Sequence, residues 1–127
     1  MINEQNSKTK KYDLEERTFE FAKRVRQLIK KLPKNIGNIE DGKQVIRSSG
    51  SVGANYFEAN GASSQKDFRN KISICKKEAR ETQYWLKIIM GADSTLKEEA
   101  EKLSKEVQEL TLIFSKIILT IDRKKKT

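Results

Sequence analysis

"RSSGSVGANYFEANG", residues Arg47–Gly61, gathers three glycines, three serines and two asparagines in a chain otherwise rich in charged residues. Two readings are open to it. As a turn, it would expose backbone N–H groups able to cradle phosphate; as a helix, its small residues would let a neighbouring helix come close. The spacing favours a helix: Val45, Ser49, Val52, Tyr56 and Ala59 recur at steps of four and three, and this stripe passes straight through the glycines. Ile46, Gly50, Gly53 and Phe57 lie one position further round. Each helical glycine costs about 1 kcal/mol relative to alanine. Gly50 and Gly53 are therefore expected at a helix-packing contact.

The competing reading takes Gly50-Ser51-Val52-Gly53 as the G-x-x-G loop of a KH-type RNA-binding domain. Its two central residues are not basic, and such a domain needs strands. No period-two segment of useful length is present.

The rest of the chain is helical in pattern on both sides of this stretch. Leu14, Phe21, Ala22, Val25, Leu28, Ile29 and Leu32 share one face of a first helix that Pro33 ends, with Lys34–Asn38 as a short connection. A third helix is expected from Ser64, with a cap side chain there and Asp67 in its first turn. It carries Phe68, Ile72, Cys75, Ala79, Thr82, Leu86 and Ile89, and Gly91 is expected to cap its end. From Ser94 onward Leu96, Ala100, Leu103, Val107, Leu110, Phe114, Ile117 and Ile121 form an unbroken heptad seam. That period predicts bundle-like packing. Leu112, Ile113, Ile118 and Leu119 extend the apolar surface beyond the seam, as an oligomer interface or a deeply buried helix would require.

Composition narrows the function. A chain of 127 residues is expected to form one domain, with an arm over residues 1–12, a bundle over 13–121 and a basic tail over 122–127. With no histidine and one cysteine, Ser-His and Cys-His catalysis and a zinc site are unavailable, and no metal or cofactor is expected. The lone Cys75 fits a reducing cytoplasm, and no apolar run is long enough for a signal peptide or a membrane span.

The net charge of +9 is concentrated. Phe21 to Ile39 contains no acid but holds Lys23, Arg24, Arg26, Lys30, Lys31 and Lys34, and Arg123, Lys124, Lys125 and Lys126 close the chain. Clustering of this kind points to a polyanion, with RNA or DNA ahead of an acidic protein. The expected contacts are Lys23, Arg24, Arg26, Lys30, Lys31 and Arg123 to Lys126, acting on phosphates rather than reading bases.

A polar stripe, Ser48, Ser51, Asn55 and Glu58, runs along the second helix. On the third, Glu78, Arg80, Glu81 and Trp85 lie close together in sequence. Paired carboxylates can serve acid–base chemistry or a metal, but no complete catalytic set can be assembled around them. Asn55, Glu58, Glu78, Arg80 and Glu81 are read as a structural polar seam; if Asn55 and Glu58 are buried they need partners, for which Arg47, Arg69 and Arg80 are the candidates.

Ser51-Val52-Gly53-Ala54-Asn55 with Glu58-Ala59, then Lys66-Asp67-Phe68, then Lys77-Glu78-Ala79-Arg80-Glu81-Thr82 with Tyr84-Trp85-Leu86, resemble the bacterial four-helix bundle proteins encoded in intervening sequences of 23S ribosomal RNA genes. The match covers about 40 residues. The turn Asn60–Ser64 lacks the arginine found in many relatives, so no role of that arginine carries over.

The resemblance implies an all-α, antiparallel up-down-up-down four-helix bundle assembling as a homopentameric barrel, without catalytic activity. It also implies nucleic-acid contact, because a related branch serves as accessory subunit to the reverse transcriptase of diversity-generating retroelements. A protein-interaction or accessory role without nucleic-acid specificity is the alternative.

Overall fold

The computed structural model describes the backbone of residues 2–92 and 94–125, and the side chains of residues 14–92 and 94–125. It is all-α: α1 (Ile2–Lys31), α2 (Ile36–Asn60), α3 (Gln65–Ala92), a single 3₁₀ turn (Ser94–Leu96) and α4 (Lys97–Lys125). Among the described residues there is no strand. The Arg47–Gly61 stretch is helical to Asn60, which excludes the G-x-x-G loop.

Four boundaries differ from the sequence pattern. The helix of α1 begins at Ile2, within the stretch read as an arm; no glycine or proline interrupts it there. α2 starts at Ile36 because Asn35, in extended backbone, accepts the Asn38 N–H on its side-chain oxygen at 2.9 Å. Gly91 is not the cap of α3. It lies within the helix, which runs on to Ala92, and no described glycine has positive φ. At the other end of the chain, Arg123, Lys124 and Lys125 form the last turn of α4 rather than a separate tail, and Lys126 lies outside the described residues.

The four helices pack into a bundle around one apolar core. Phe21, Val25 and Leu28 from α1 meet Val45 and Val52 from α2, Ile72, Leu86 and Ile89 from α3, and Val107, Leu110 and Phe114 from α4. Burying side chains of this size contributes about 1.5–3 kcal/mol each. α3 has its broadest interfaces with α2 and α4, whereas α1 lies mainly on α2.

The glycines explain how α1 is seated. A Cβ on Gly53 would stand 3.1 Å from Thr18 Oγ1 and 3.2 Å from Thr18 Cβ, and one on Gly42 would stand 3.0 Å from Ile29 Cγ2. Gly50 looks toward the Arg26 guanidinium, 3.3 Å from where its Cβ would be. Thr18 is buried at this contact, its hydroxyl donating to the carbonyls of Leu14 and Glu15. The two helices touch closely because α2 carries glycine where Thr18, Arg26 and Ile29 of α1 face it.

Candidate polyanion-binding surface

Burial of Phe21, Val25, Leu28 and Leu32 turns the intervening positions of α1 outward. Lys23, Arg24, Arg26, Lys30 and Lys31 are all exposed. Their local partners differ. Lys23 lies 3.5 Å from Glu20 and 5.5 Å above the centre of the Phe19 ring, and Lys31 pairs with Glu99 of α4 at 2.8 Å. The Arg26 guanidinium donates to the Ala22 carbonyl at 3.2 Å. No carboxylate pairs with Arg24, Arg26 or Lys30 among the described residues.

Packing adds cations that the sequence pattern did not group with α1. Lys102 of α4 shares a cleft with Arg24 and Lys31, while Lys43 of α2 joins Lys34, itself part of the acid-free stretch, beside Arg26 and Lys30. A separate shallow depression on α3 is lined by Lys76, Lys77 and Arg80. The run Lys76-Lys77-Glu78-Ala79-Arg80 carries that signal, because its basic members share a helix face at steps of three and four.

The two sets of predicted phosphate contacts are not brought together. Lys31 is fixed to Glu99 at the start of α4, whereas Arg123 and Lys125 lie in its last turn, next to the Arg69–Asp122 pair. The separation along α4 is roughly 36 Å at about 1.5 Å per residue. Cations in a last helical turn also complement the helix dipole. The larger group of exposed cations therefore lies along α1 and its flanks.

The five residues read as one polar seam separate into four settings. Asn55 donates to the Ser51 carbonyl of its own helix at 2.8 Å, and exposed Glu58 pairs with Lys71 at 3.1 Å. Arg80 is exposed on the outer face of α3. Glu78 and Glu81 share Arg47: one guanidinium nitrogen is 3.0 Å from Glu78, and the other is hydrogen-bonded to Glu81. The Trp85 indole N–H donates to the same Glu81 oxygen at 3.1 Å. Of the partners proposed from sequence, Arg47 takes Glu78 and Glu81, and Arg69 takes Asp122 in a two-pronged pair at 2.7 and 2.9 Å. Neither reaches Glu58.

Beneath the Arg47 cluster, the buried Thr82 hydroxyl lies 2.8 Å from both the Ser48 hydroxyl and the Glu78 carbonyl. Arg17, which the sequence did not single out, grips Glu106 through two hydrogen bonds of 2.8 and 3.1 Å and joins α1 to α4. Nothing in one sequence reveals that pairing across two distant helices.

These carboxylates are engaged in structure. Burial would raise the Glu81 pKa, but hydrogen bonds from Trp85 and Arg47 outweigh it and hold the carboxyl below its ordinary value. The hydrogen bond to Glu81 in turn raises Arg47. A carboxylate depressed in the folded state stabilises the fold above its unfolded pKa of about 4.3, and that stability is lost as pH falls through the lower folded value. Because both partners are partly solvated, the effect should stay below about 1 kcal/mol. Thermal melts from about pH 6 down to pH 3 should fall less steeply in Arg47→Gln than in the parent chain. Parallel curves would remove this role from the pair.

Cys75 is fully buried, and burial pushes its thiol up to about 12. It is not a nucleophile at neutral pH. Among the described residues no group of three or more acidic or cysteine side chains is placed to hold a metal ion. No helix among them is long and apolar enough to cross a membrane.

A family model for the 23S rRNA-intervening sequence protein matches residues 10–116, from the first helix deep into the last. The chain belongs to that family. It is also similar to a solved structure from Bacteroides thetaiotaomicron, a protein of unknown function from the S23 ribosomal protein family. The two share 33% identity over 83% of this chain and 97% of the other, with a TM-score of 0.73. No curated protein matches the chain. The family span takes in the basic face of α1, the glycine contact and the Arg47 cluster, and ends before the basic last turn of α4.

Proposed function

We propose that this member of the family is a non-catalytic helical bundle that binds RNA or DNA through phosphate contacts along α1. One observation carries this reading: Arg24, Arg26 and Lys30 stand exposed in an acid-free stretch, with no carboxylate partner among the described residues. Unneutralised cations held along one helix, Arg24 on its α4 side and Arg26 with Lys30 on its α2 side, are available to phosphates and release counterions when bound. A non-catalytic role is supported by the engagement of Glu78 and Glu81 with Arg47 and by the buried thiol of Cys75.

The proposal extends to architecture. An antiparallel up-down-up-down bundle is supported by contacts in which rising numbers on one helix meet falling numbers on the next: Glu15 with Asn60 and Thr18 with Gly53, then Arg47 with Glu78 and Glu58 with Lys71. Assembly of several copies, five by resemblance to the family, is supported by Leu112, Leu119, Phe57 and Tyr84, each more than half exposed. A reducing cytoplasm suits the single unpaired cysteine.

The test is a titration of labelled single-stranded RNA and DNA at several salt concentrations, with the mass of the free protein measured in solution. Log affinity should fall linearly with log salt, at a slope of roughly −2 to −3 if three or four phosphates are neutralised at about −0.7 each. A flat dependence, or no binding near physiological salt, overturns the reading.

A further inference from the structure

The turn joining α1 to α2 leaves a groove with an aliphatic floor and cations along its edge. It has a volume of about 640 Å³ and lies between the last turns of α1 and the first turns of α2. Ile29 and Leu32 line it from α1, Ile39 and Ile46 from α2. Gly42 brings the two walls together, since a Cβ there would press on Ile29 at 3.0 Å. Ile39 is 45% exposed. Water contact with this apolar surface is unfavourable by about 25 cal/mol per Å², so a partner that covers it gains.

The cations at this groove form a row. Arg26 and Lys30 are one helical turn apart on one face of α1, and Lys34 follows just past Pro33. No carboxylate pairs with these three among the described residues. On the opposite wall Lys43 lies 3.7 Å from Glu40 of its own helix, so the uncompensated charge lies along α1. An apolar track edged by regularly spaced cations is complementary to a helix with an apolar stripe and acids along its margin. Ile39 and Ile46, seven residues apart on α2, give the track the length of two helical turns. Phosphates of a nucleic acid would answer the cations but leave the aliphatic floor uncovered, and the groove has no aromatic ring on which a base could stack.

We infer that this groove docks an acidic amphipathic helix of a partner protein, with its apolar stripe on Ile29, Ile39 and Ile46 and its carboxylates along Arg26, Lys30 and Lys34. The site shares Arg26 and Lys30 with the proposed phosphate surface, but Ile39 belongs to the groove alone.

The experiment uses the full chain and a fluorescein-labelled synthetic peptide of about 18 residues, with leucines at helical spacing and glutamates beside them. Its controls are a scrambled peptide of the same composition and one with lysine for every glutamate. At about 0.15 M salt the patterned acidic peptide should bind at least tenfold more tightly than either control. Ile39→Asp and Lys34→Glu should each weaken it about tenfold or more, with Lys116→Glu, an exposed site on α4, leaving it unchanged. Both groove positions are exposed, and Lys34 lies outside the helices, so it carries the test if Ile39→Asp melts early.

Equal binding of the scrambled peptide, no binding of the patterned one, or unchanged affinity in both groove variants overturns the inference. Ile39→Asp should bind single-stranded RNA within about threefold of the parent; loss of RNA binding instead would assign the groove to nucleic acid and overturn it. If RNA binding is absent throughout while the peptide pattern holds, the phosphate reading falls and this one stands.

Discussion

Gly53→Leu is expected to lower stability by about 3 kcal/mol. The first atom of any new side chain would already be 3.1–3.2 Å from Thr18, and the Thr18 backbone carbon is 3.5 Å away. Thr18 cannot rotate clear without loss, because its buried hydroxyl is held by the carbonyls of Leu14 and Glu15. The Cβ therefore presses on α1 whichever way the three further carbon atoms turn in the groove beside Phe19 and Phe57. Overpacking of a filled core costs about 1–3 kcal/mol and sometimes more, and here the displaced object is a whole helix. For a domain of this size the melting temperature should fall by roughly 10 °C.

Gly91 provides the contrast. A Cβ there meets nothing within 4 Å, and the residue lies in regular helix, so Gly91→Ala should raise stability by up to about 1 kcal/mol. Thermal melts of the two variants side by side would separate close packing from helix propensity. An unchanged melting temperature in Gly53→Leu would contradict the packing account.

The second large effect concerns affinity. Substituting Arg24, Arg26 and Lys30 together by glutamine should weaken RNA or DNA binding roughly a hundredfold near 0.1 M salt, and should reduce the salt slope by about 2 for single strands. Lys23 and Lys31 are left out because Glu20 and Glu99 already answer their charges. All three substituted side chains are exposed, so the melting temperature should barely move. Removing Arg123 to Lys126 should have a smaller effect that adds to the first, since the two groups lie roughly 36 Å apart along α4 at about 1.5 Å per residue. Salt titrations of the triple variant, the truncation and their combination check both statements. An unaltered slope in the triple variant would exclude α1 as the phosphate surface.

How much of this was legible in the sequence depended on whether the relevant signal was local. Helical periodicity is local, so the stripe through Gly50 and Gly53 and the seam from Leu96 to Ile121 located the core: Val45, Val52, Val107, Leu110 and Phe114 are all fully buried. Thr18 was missed because a hydroxyl reads as polar, although its bond to the preceding turn lets it sit in the core at the contact that Gly53 permits. Gly42 was missed for a related reason: it lies before the glycine-rich stretch and has no sequence neighbour to announce the close approach of Ile29.

The polar residues were the least legible. Glu58 and Glu81 look alike in sequence, yet one is exposed and reaches a half-buried lysine, and the other lies between an arginine and an indole. Which cation faces which acid is decided by helix pairing. The basic face of α1 could be read directly, because outward positions follow once the inward ones are known. That Lys102 and Lys43 flank it could not.

The buried hydroxyls of Ser48 and Thr82 constrain α2 and α3 in a way that their aliphatic neighbours cannot. Apolar side chains would tolerate a slide of one helix along the other by a turn, about 5.4 Å, with new but equivalent contacts. Such a slide would separate Ser48 from Thr82 and pull Arg47 away from Glu78 and Glu81 at the same time. Both hydroxyls would keep a carbonyl of their own helix, but the buried Glu78 carboxylate would lose its cation, at a cost of about 1–3 kcal/mol. The hydroxyl pair and the arginine above it thus act as an alignment mark: of the several phases in which two heptad-like surfaces can mesh, they select one.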